Sequence, residues 1–242
     1  MQRLARHCCG DGQPPYCSRL LAMCQCLLLL LGLALAASLP PQAPAAAGEQ
    51  VQSRKTSPPY TGDFAIFEYK DRDKNLQVER VMDILGIAAG KTVADIGAGS
   101  GWFSVRAARR VTPAGVVYAV DINPEAVRYI QERVVREHIT NVRTILSRAN
   151  DPLLPQASVD AVLLLKTYHE VAEPVALLKG LRKAHRPQAR IGIIDRNGNG
   201  EDHGVNRDVV IREAGQAGYR LVGEYDFVKS DGDDYFLVFE PN

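Results

Sequence analysis

Apolar residues in this chain recur at two spacings that take turns between residues 75 and 239. In one set of segments every third or fourth position is apolar, which marks a helix with one buried face. In the other set apolar residues run together or alternate, which marks a strand. The helical spacing predicts a helix over Asn75–Leu85, with Val78, Val81, Met82 and Leu85 on its buried side, and a second after Trp102-Phe103-Ser104-Val105 that ends at Thr112-Pro113-Ala114-Gly115. It predicts further helices over Pro124–Glu137, from Glu173-Pro174 to a stop before Pro187, and over Asn206–Ala217. Strands are predicted over Lys91–Ile96, Val116–Asp121, Val142–Leu146, Val159–Lys166 and Arg190–Asp195. The mostly apolar run Val159–Lys166 suits a central parallel strand covered on both faces. Two β-rich runs, Tyr219–Val228 and Tyr235–Phe239, are joined by Ser230-Asp231-Gly232-Asp233-Asp234 and read as a hairpin. The fold expected is α/β, a doubly wound, mostly parallel seven-stranded sheet with a C-terminal antiparallel hairpin. Phe64, Phe67 and Tyr69 precede the first helix, either as core or as a lid.

The first 47 residues follow neither spacing. Arg3, Arg6 and Arg19 precede an apolar run from Leu20 to Leu39, and Pro40-Pro41 and the small residues Ala43-Pro44-Ala45-Ala46-Ala47 follow it. This reads as an export signal released after Ala47, or as an uncleaved anchor, since residues 20–39 are just long enough to span a bilayer. Either way the domain is expected to be exported or membrane-anchored, with a possible membrane tether through residues 20–39. Residues 48–61, with Ser57-Pro58-Pro59, read as a linker, and 62–242 as one domain. All five cysteines (Cys8, Cys9, Cys17, Cys24 and Cys26) lie in the leader, which excludes disulfide, thiolate-metal and cysteine-nucleophile chemistry from the domain. With Arg3, Arg6, Arg19 and Asp11 set aside, 26 basic and 27 acidic side chains remain, a balance that favours no nucleic-acid partner.

Between the first strand and the next helix stands Asp95-Ile96-Gly97-Ala98-Gly99-Ser100-Gly101. Glycines at such a junction allow a sharp turn, a ligand against bare backbone, and close helix-to-strand contact. The helix's free N–H groups then meet the ligand. A dinucleotide loop, G-x-G-x-x-G/A, needs a small residue at position 102, where Trp102 stands, so a nicotinamide oxidoreductase is disfavoured. The segment resembles motif I of the class I S-adenosylmethionine-dependent methyltransferases, D/E-x-G-x-G-x-G, filled by Asp95, Gly97, Gly99 and Gly101. About 20 residues on, where such folds place an acid for a ribose, stands Asp121. Asn123-Pro124 supplies the cap of the next helix and leaves Asp121 for a ligand. The order of elements from Asn75 to Phe239 is similar to the same family's fold.

The resemblance implies S-adenosyl-L-methionine as cofactor. It implies that Asp95 approaches the methionine ammonium, that Asp121 and its neighbour Ile122 meet the nucleoside, and that Asn150, Asp151 and Lys166 complete the cofactor pocket. Arg148-Ala149-Asn150-Asp151 departs from the Asp-Ala frequent in the family at the adenine. The fourth strand ends in Lys166-Thr167-Tyr168-His169-Glu170, the position that faces the transferable methyl, and no Asn/Asp-Pro-Pro-Tyr/Phe tetrad occurs there, which argues against bases and amides as acceptors. His169 and Tyr168 are the catalytic candidates: a histidine there takes a hydroxyl's proton, or it hydrogen-bonds a neighbouring loop.

Asp195-Arg196-Asn197-Gly198-Asn199-Gly200 matches the first half of an EF-hand calcium loop, but position twelve is Asn206 and a strand precedes it, so no metal is expected. Basic residues Lys179, Arg182, Lys183 and Arg186 read as a solvated helix face. The chain is therefore expected to transfer a methyl group to a small-molecule acceptor. The alternative is an inactive binding module of the cell envelope, suggested by the conflict between an export leader and a cofactor made in the cytosol; a mis-assigned start would leave the protein cytoplasmic.

Overall fold

The structure is a computed structural model that describes residues 53–199 and 203–242. The leader, residues 48–52 of the linker and Gly200 of the calcium-like loop lie outside the described residues.

Seven strands form one sheet: β1 (Thr92–Ile96), β2 (Val116–Asp121), β3 (Val142–Leu146), β4 (Val159–Leu165), β5 (His185–Asp195), β6 (Tyr219–Tyr225) and β7 (Tyr235–Pro241), in the order β3-β2-β1-β4-β5-β7-β6. Five consecutive neighbours pair in parallel, and β7 runs antiparallel to both β5 and β6. The expected architecture, with its terminal hairpin, is present.

An apolar run reads both ways in such a sheet because alternate residues serve opposite faces. Val93, Leu163 and Leu165 pack with Leu76, Met82, Trp102 and Phe103 on one side. Ala94, Val162 and Leu164 pack with Leu178, Leu181 and Val210 on the other. The first side is covered by α1 (Arg72–Leu76), α2 (Val78–Ile84) and α3 (Trp102–Val111), and α4 (Pro124–Arg136) adds Ile130 against Ala98 and Ala119. The second is covered by α5 (Pro174–Ala184) and α6 (Arg207–Gln216).

Three elements differ from the sequence reading. The predicted helix 75–85 starts earlier and breaks at Gln77, whose φ of 53° is left-handed, so α1 and α2 are separate short helices. β5 begins at His185 rather than Arg190 and absorbs Pro187 and the positive-φ Gln188 in an irregularity between residues 159 and 161 of its partner. Residues Phe227–Asp231 form a 3-10 turn, ending β6 at Tyr225.

β1 and β4 lie side by side in the sheet although they are separated in sequence, and the chain winds outward from them in both directions. A crevice opens at the carboxyl ends of strands at this kind of reversal. Both the glycine loop after β1 and the Thr167-Tyr168-His169-Glu170 segment after β4 therefore border it.

Candidate functional site

The glycine loop is built on left-handed backbone. Gly97 has φ +69°, and a Cβ there would lie 2.2 Å from Thr167 Cγ2, so only hydrogen fits between the loop and the segment after β4. Gly101, φ +74°, caps α3, and a Cβ would press to 3.0 Å on Ile130. At Gly99 a Cβ would enter open space bounded by Phe67 at 3.8 Å, which leaves bare backbone facing the crevice.

Two acids flank this cradle. Asp95, at the end of β1, is buried and accepts a hydrogen bond from Ser104 Oγ at 2.6 Å. Burial pushes its carboxyl up to about 6; Ser104 lowers it, Asp121 raises it and Arg72 lowers it, each by less. Asp121, at the end of β2, accepts from the Gly99 N–H at Oδ2 and from the Asn123 N–H at Oδ1, both at 2.9 Å. Its carboxyl is also raised by burial. A carboxylate oxygen takes two hydrogen bonds, so each oxygen keeps one place for a hydroxyl donor. Asn123 does cap α4, its side chain accepting from Glu125 N at 2.9 Å. Ile122 stands beside Asp121 with its side chain exposed. Two adjacent acceptors, bare glycine backbone and an apolar neighbour fit a ribose diol and an adenine ring. Asp95 on the other flank fits an ammonium.

After β4, His169 is buried, and its ring Nδ1 lies 2.8 and 3.0 Å from the two oxygens of Asp195 at the end of β5. The same carboxylate accepts from the His169 N–H at 3.0 Å and the Arg196 N–H at 2.9 Å. A carboxylate against Nδ1 accepts its N–H and orients the ring, which leaves Nε2 as the ring nitrogen directed away from Asp195. Asp195 was expected as a strand end and as the first position of the calcium-like loop; its pairing with His169 was not.

Other expected residues are turned elsewhere. Tyr168 is fully buried, and its hydroxyl donates to Glu213 at 2.8 Å, with its ionisation pushed far upward by burial and by Glu213. On a 3-10 turn adjacent side chains diverge, so facing His169 to the crevice sends Tyr168 into the core. The structure does not bring it to the reacting end. Lys166 directs Nζ to Tyr69 Oη at 3.1 Å and the Asp231 carbonyl at 2.6 Å, with Asp231 and Asp233 carboxylates at 3.1 and 3.5 Å. Asn150 donates to Glu173 at 3.2 Å, and Asp151 accepts from the Leu153 N–H at 2.9 Å in a local turn. These three side chains are engaged within the protein, while the backbone of the segment carrying Asn150 and Asp151 adjoins the end of β2 through the Ser147 N–H, which donates to the Asp121 carbonyl at 2.8 Å. In the calcium-like loop, Asp195 is spent on His169 and the Asn197 side chain accepts from the Arg207 N–H at 3.1 Å, so these two oxygens do not converge on a calcium.

Residues 54–72 form a strap across the strand ends. The Arg54 N–H donates to the Ala172 carbonyl at 2.7 Å, and its guanidinium reaches the Tyr168 carbonyl and Glu213. The Ser57 N–H donates to Glu170 at 3.0 Å, and Asn123 Nδ2 donates to the Tyr60 carbonyl. Glu68 accepts from Ser100 Oγ at 2.7 Å and pairs with Arg133 of α4. Phe64 is core, Phe67 faces Gly99, and Tyr69 is exposed, so the aromatic trio divides between core and cover. Nothing in the local sequence announces Glu68, Ser100 and Arg133 as partners.

The chain and its fold are similar to known proteins. A family model described as a methyltransferase domain matches residues 87–212. A protein-L-isoaspartate O-methyltransferase of Methanothrix thermoacetophila is 28% identical over 157 residues, which cover 63% of this chain and 71% of that protein. An arsenite methyltransferase of Halobacterium salinarum is 29% identical over 109 residues, covering 45% of this chain and 28% of that enzyme. The chain likewise spans less than half the length of three other curated relatives, at 30–42%. Among solved structures, an S-adenosylmethionine-dependent methyltransferase from Aquifex aeolicus superposes with a TM-score of 0.67 at 26% identity, covering 74% of this chain and 98% of that one.

Proposed function

The chain belongs to the class I S-adenosylmethionine-dependent methyltransferases, and from that premise we propose that it methylates a small molecule at a hydroxyl group received beside His169. S-adenosylmethionine is the cofactor, and it supplies a methyl group made electrophilic by a sulfonium. The inactive alternative finds no support in the relatives.

The observation that carries the reading is the His169–Asp195 pair at the end of β4. Asp195 fixes the ring's tautomer and orientation, so Nε2 is the side that meets the acceptor. Direct displacement at a methyl group asks an enzyme chiefly for alignment and exclusion of water. The strap contributes both by crossing the strand ends, and a strapped crevice suits a small acceptor better than a folded protein. An arsenite acceptor lacks a thiolate here, because every cysteine lies within residues 8–26. Asp121 and Ile122 hold the nucleoside, Gly97, Gly99 and Gly101 the adjoining backbone face, and Asp95 the ammonium.

Release of S-adenosylhomocysteine from the full chain is expected with a panel of phenols and alcohols, and not with an isoaspartyl peptide or arsenite. His169→Ala and Asp195→Asn are expected to lower kcat about 10²-fold, the scale of general-base loss, with cofactor affinity within twofold. Turnover restricted to the peptide or arsenite, or an unchanged rate in His169→Ala, contradicts the proposal. The leader's charge and apolar pattern supports an exported or membrane-anchored location; N-terminal sequencing of fractionated cells, expected to begin at Gly48 if the leader is cleaved, tests it. No helix among the described residues is long and apolar enough to cross a membrane.

A further inference from the structure

The outward nitrogen of His169 does not face open crevice alone. Its Nε2 lies 3.4 Å from Glu170 Oε1, and the same oxygen lies 3.2 Å from His203 Nδ1. All three atoms fall within 4.8 Å of one another. Two of these separations match a specific geometry. Tetrahedral zinc, with bonds of about 2.0–2.1 Å to nitrogen and oxygen, sets its ligand atoms roughly 3.3–3.4 Å apart.

The geometry points to a divalent metal site of the zinc type formed by His169 Nε2, Glu170 Oε1 and His203 Nδ1. Two histidines and one carboxylate with a fourth position open is a ligand set of catalytic rather than structural zinc. Ligating groups need outer partners that fix their direction; His169 and Glu170 have one, and His203 is held through its backbone. Asp195 holds His169 through Nδ1 at 2.8 Å. The Ser57 N–H holds the second Glu170 oxygen at 3.0 Å, which couples the site to the strap. Arg196 Nη2 donates to the His203 carbonyl at 3.1 Å, fixing a residue whose φ of 56° is left-handed. His203 and Glu170 reach the site from different loops, after β5 and after β4, so one ion would join the two loops over the acceptor side.

The inference rests on the reading of His169 as the group that meets the acceptor, and it changes how His169 acts there. With the ion at Nε2, an acceptor hydroxyl occupies the open fourth position, and its O–H is acidified as a bound water's is. The proton goes to water and both electrons of the O–H bond stay on oxygen. That oxygen then bonds the methyl carbon, while the sulfur keeps the electron pair of the bond that breaks. His169 is then a ligand, and Asp195 a positioning residue that acts through it.

The test uses the full chain with its five leader cysteines replaced by serine, which removes thiolate background, stripped by chelator and titrated with zinc chloride alone. One equivalent is expected to bind with a micromolar or tighter Kd, and His203→Ala and Glu170→Gln are each expected to weaken it tenfold or more. His203 is exposed, so its loss does not threaten the fold. His138→Ala, remote from the cluster, is expected to leave binding unchanged. Cobalt in place of zinc is expected to give the visible band of four-coordinate nitrogen and oxygen ligation, absent in His203→Ala. No binding, or binding indifferent to His203→Ala and Glu170→Gln, overturns the site. A turnover that survives chelation yet falls in His169→Ala also overturns it, while leaving the methyl-transfer reading with His169 as base intact. Absence of methyl transfer to any phenol or alcohol by the unmodified protein, with zinc still bound, overturns that reading and leaves the metal site.

Discussion

Asp121→Ala is expected to weaken S-adenosylmethionine binding to the full chain by a hundredfold or more. Each Asp121 oxygen is already steered by one backbone N–H, from Gly99 and from Asn123, and each retains one acceptor place. A ribose diol supplies two donors to those places, and hydrogen bonds to a charged partner contribute about 1.5–3 kcal/mol each. Two such bonds amount to about 3–6 kcal/mol, and every 1.4 kcal/mol is about tenfold in affinity. Because burial has already raised this carboxyl, part of that gain is offset by the cost of keeping it ionised, which favours the lower end. The substitution also leaves the Gly99 and Asn123 N–H groups without an acceptor, so a melting temperature a few degrees lower is expected alongside. Asp121→Asn restores acceptor capacity on one oxygen and is expected to fall between the two. Calorimetric titration checks the series; affinity within threefold of the unmodified chain in Asp121→Ala contradicts the assignment.

Asp95→Asn is expected to do the opposite to stability while also harming binding. An acid whose pKa is raised in the folded state stabilises the fold through its protonated form. That contribution is complete below the ordinary carboxylate range and is lost as pH rises through about 6, the value to which burial pushes Asp95. At pH 7.5 the folded protein therefore carries a buried charge at a cost, and asparagine removes the charge while keeping an oxygen for Ser104. One pKa unit corresponds to about 1.4 kcal/mol, so a gain of about 1–3 kcal/mol is expected at pH 7.5 and almost none at pH 4. In a domain of this size that raises Tm by several degrees. A cationic ligand draws the proton off, so binding to the unmodified chain near pH 6 is expected to release protons, and Asp95→Asn to abolish the release. Calorimetry in buffers of different ionisation enthalpy measures it. A variant no more stable at pH 7.5 than at pH 4 relative to the unmodified chain would sink this account of Asp95.

Local physics explains which parts were legible in the sequence. Glycine spacing, the proline after Asn123 and the apolar run of β4 are rules about near neighbours, and they place the cradle, the cap and the central strand where the structure has them. Side-chain direction is not a near-neighbour property. Tyr168 and His169 are adjacent, yet one bonds Glu213 in the core and the other Asp195, 45 and 26 residues away. Lys166 was expected to end β4, which stops at Leu165, and Asp231 and Asp233, some 65 residues on, hold its amine. The strap is the largest omission: Glu68 meets Arg133 across 65 residues, and no spacing rule connects them. Asp195 carried a usable signal, an acid ending the strand next to β4, but only the sheet order shows that β4 and β5 are neighbours.

Hydrogen exchange on the full chain with and without S-adenosylmethionine tests the placement of the cofactor most directly. Slower exchange is expected at the amides of residues 97–101 and 121–123, with residues 185–188 at the opposite end of the sheet unaffected. Protection absent from the glycine loop, or confined to that far end, contradicts the account.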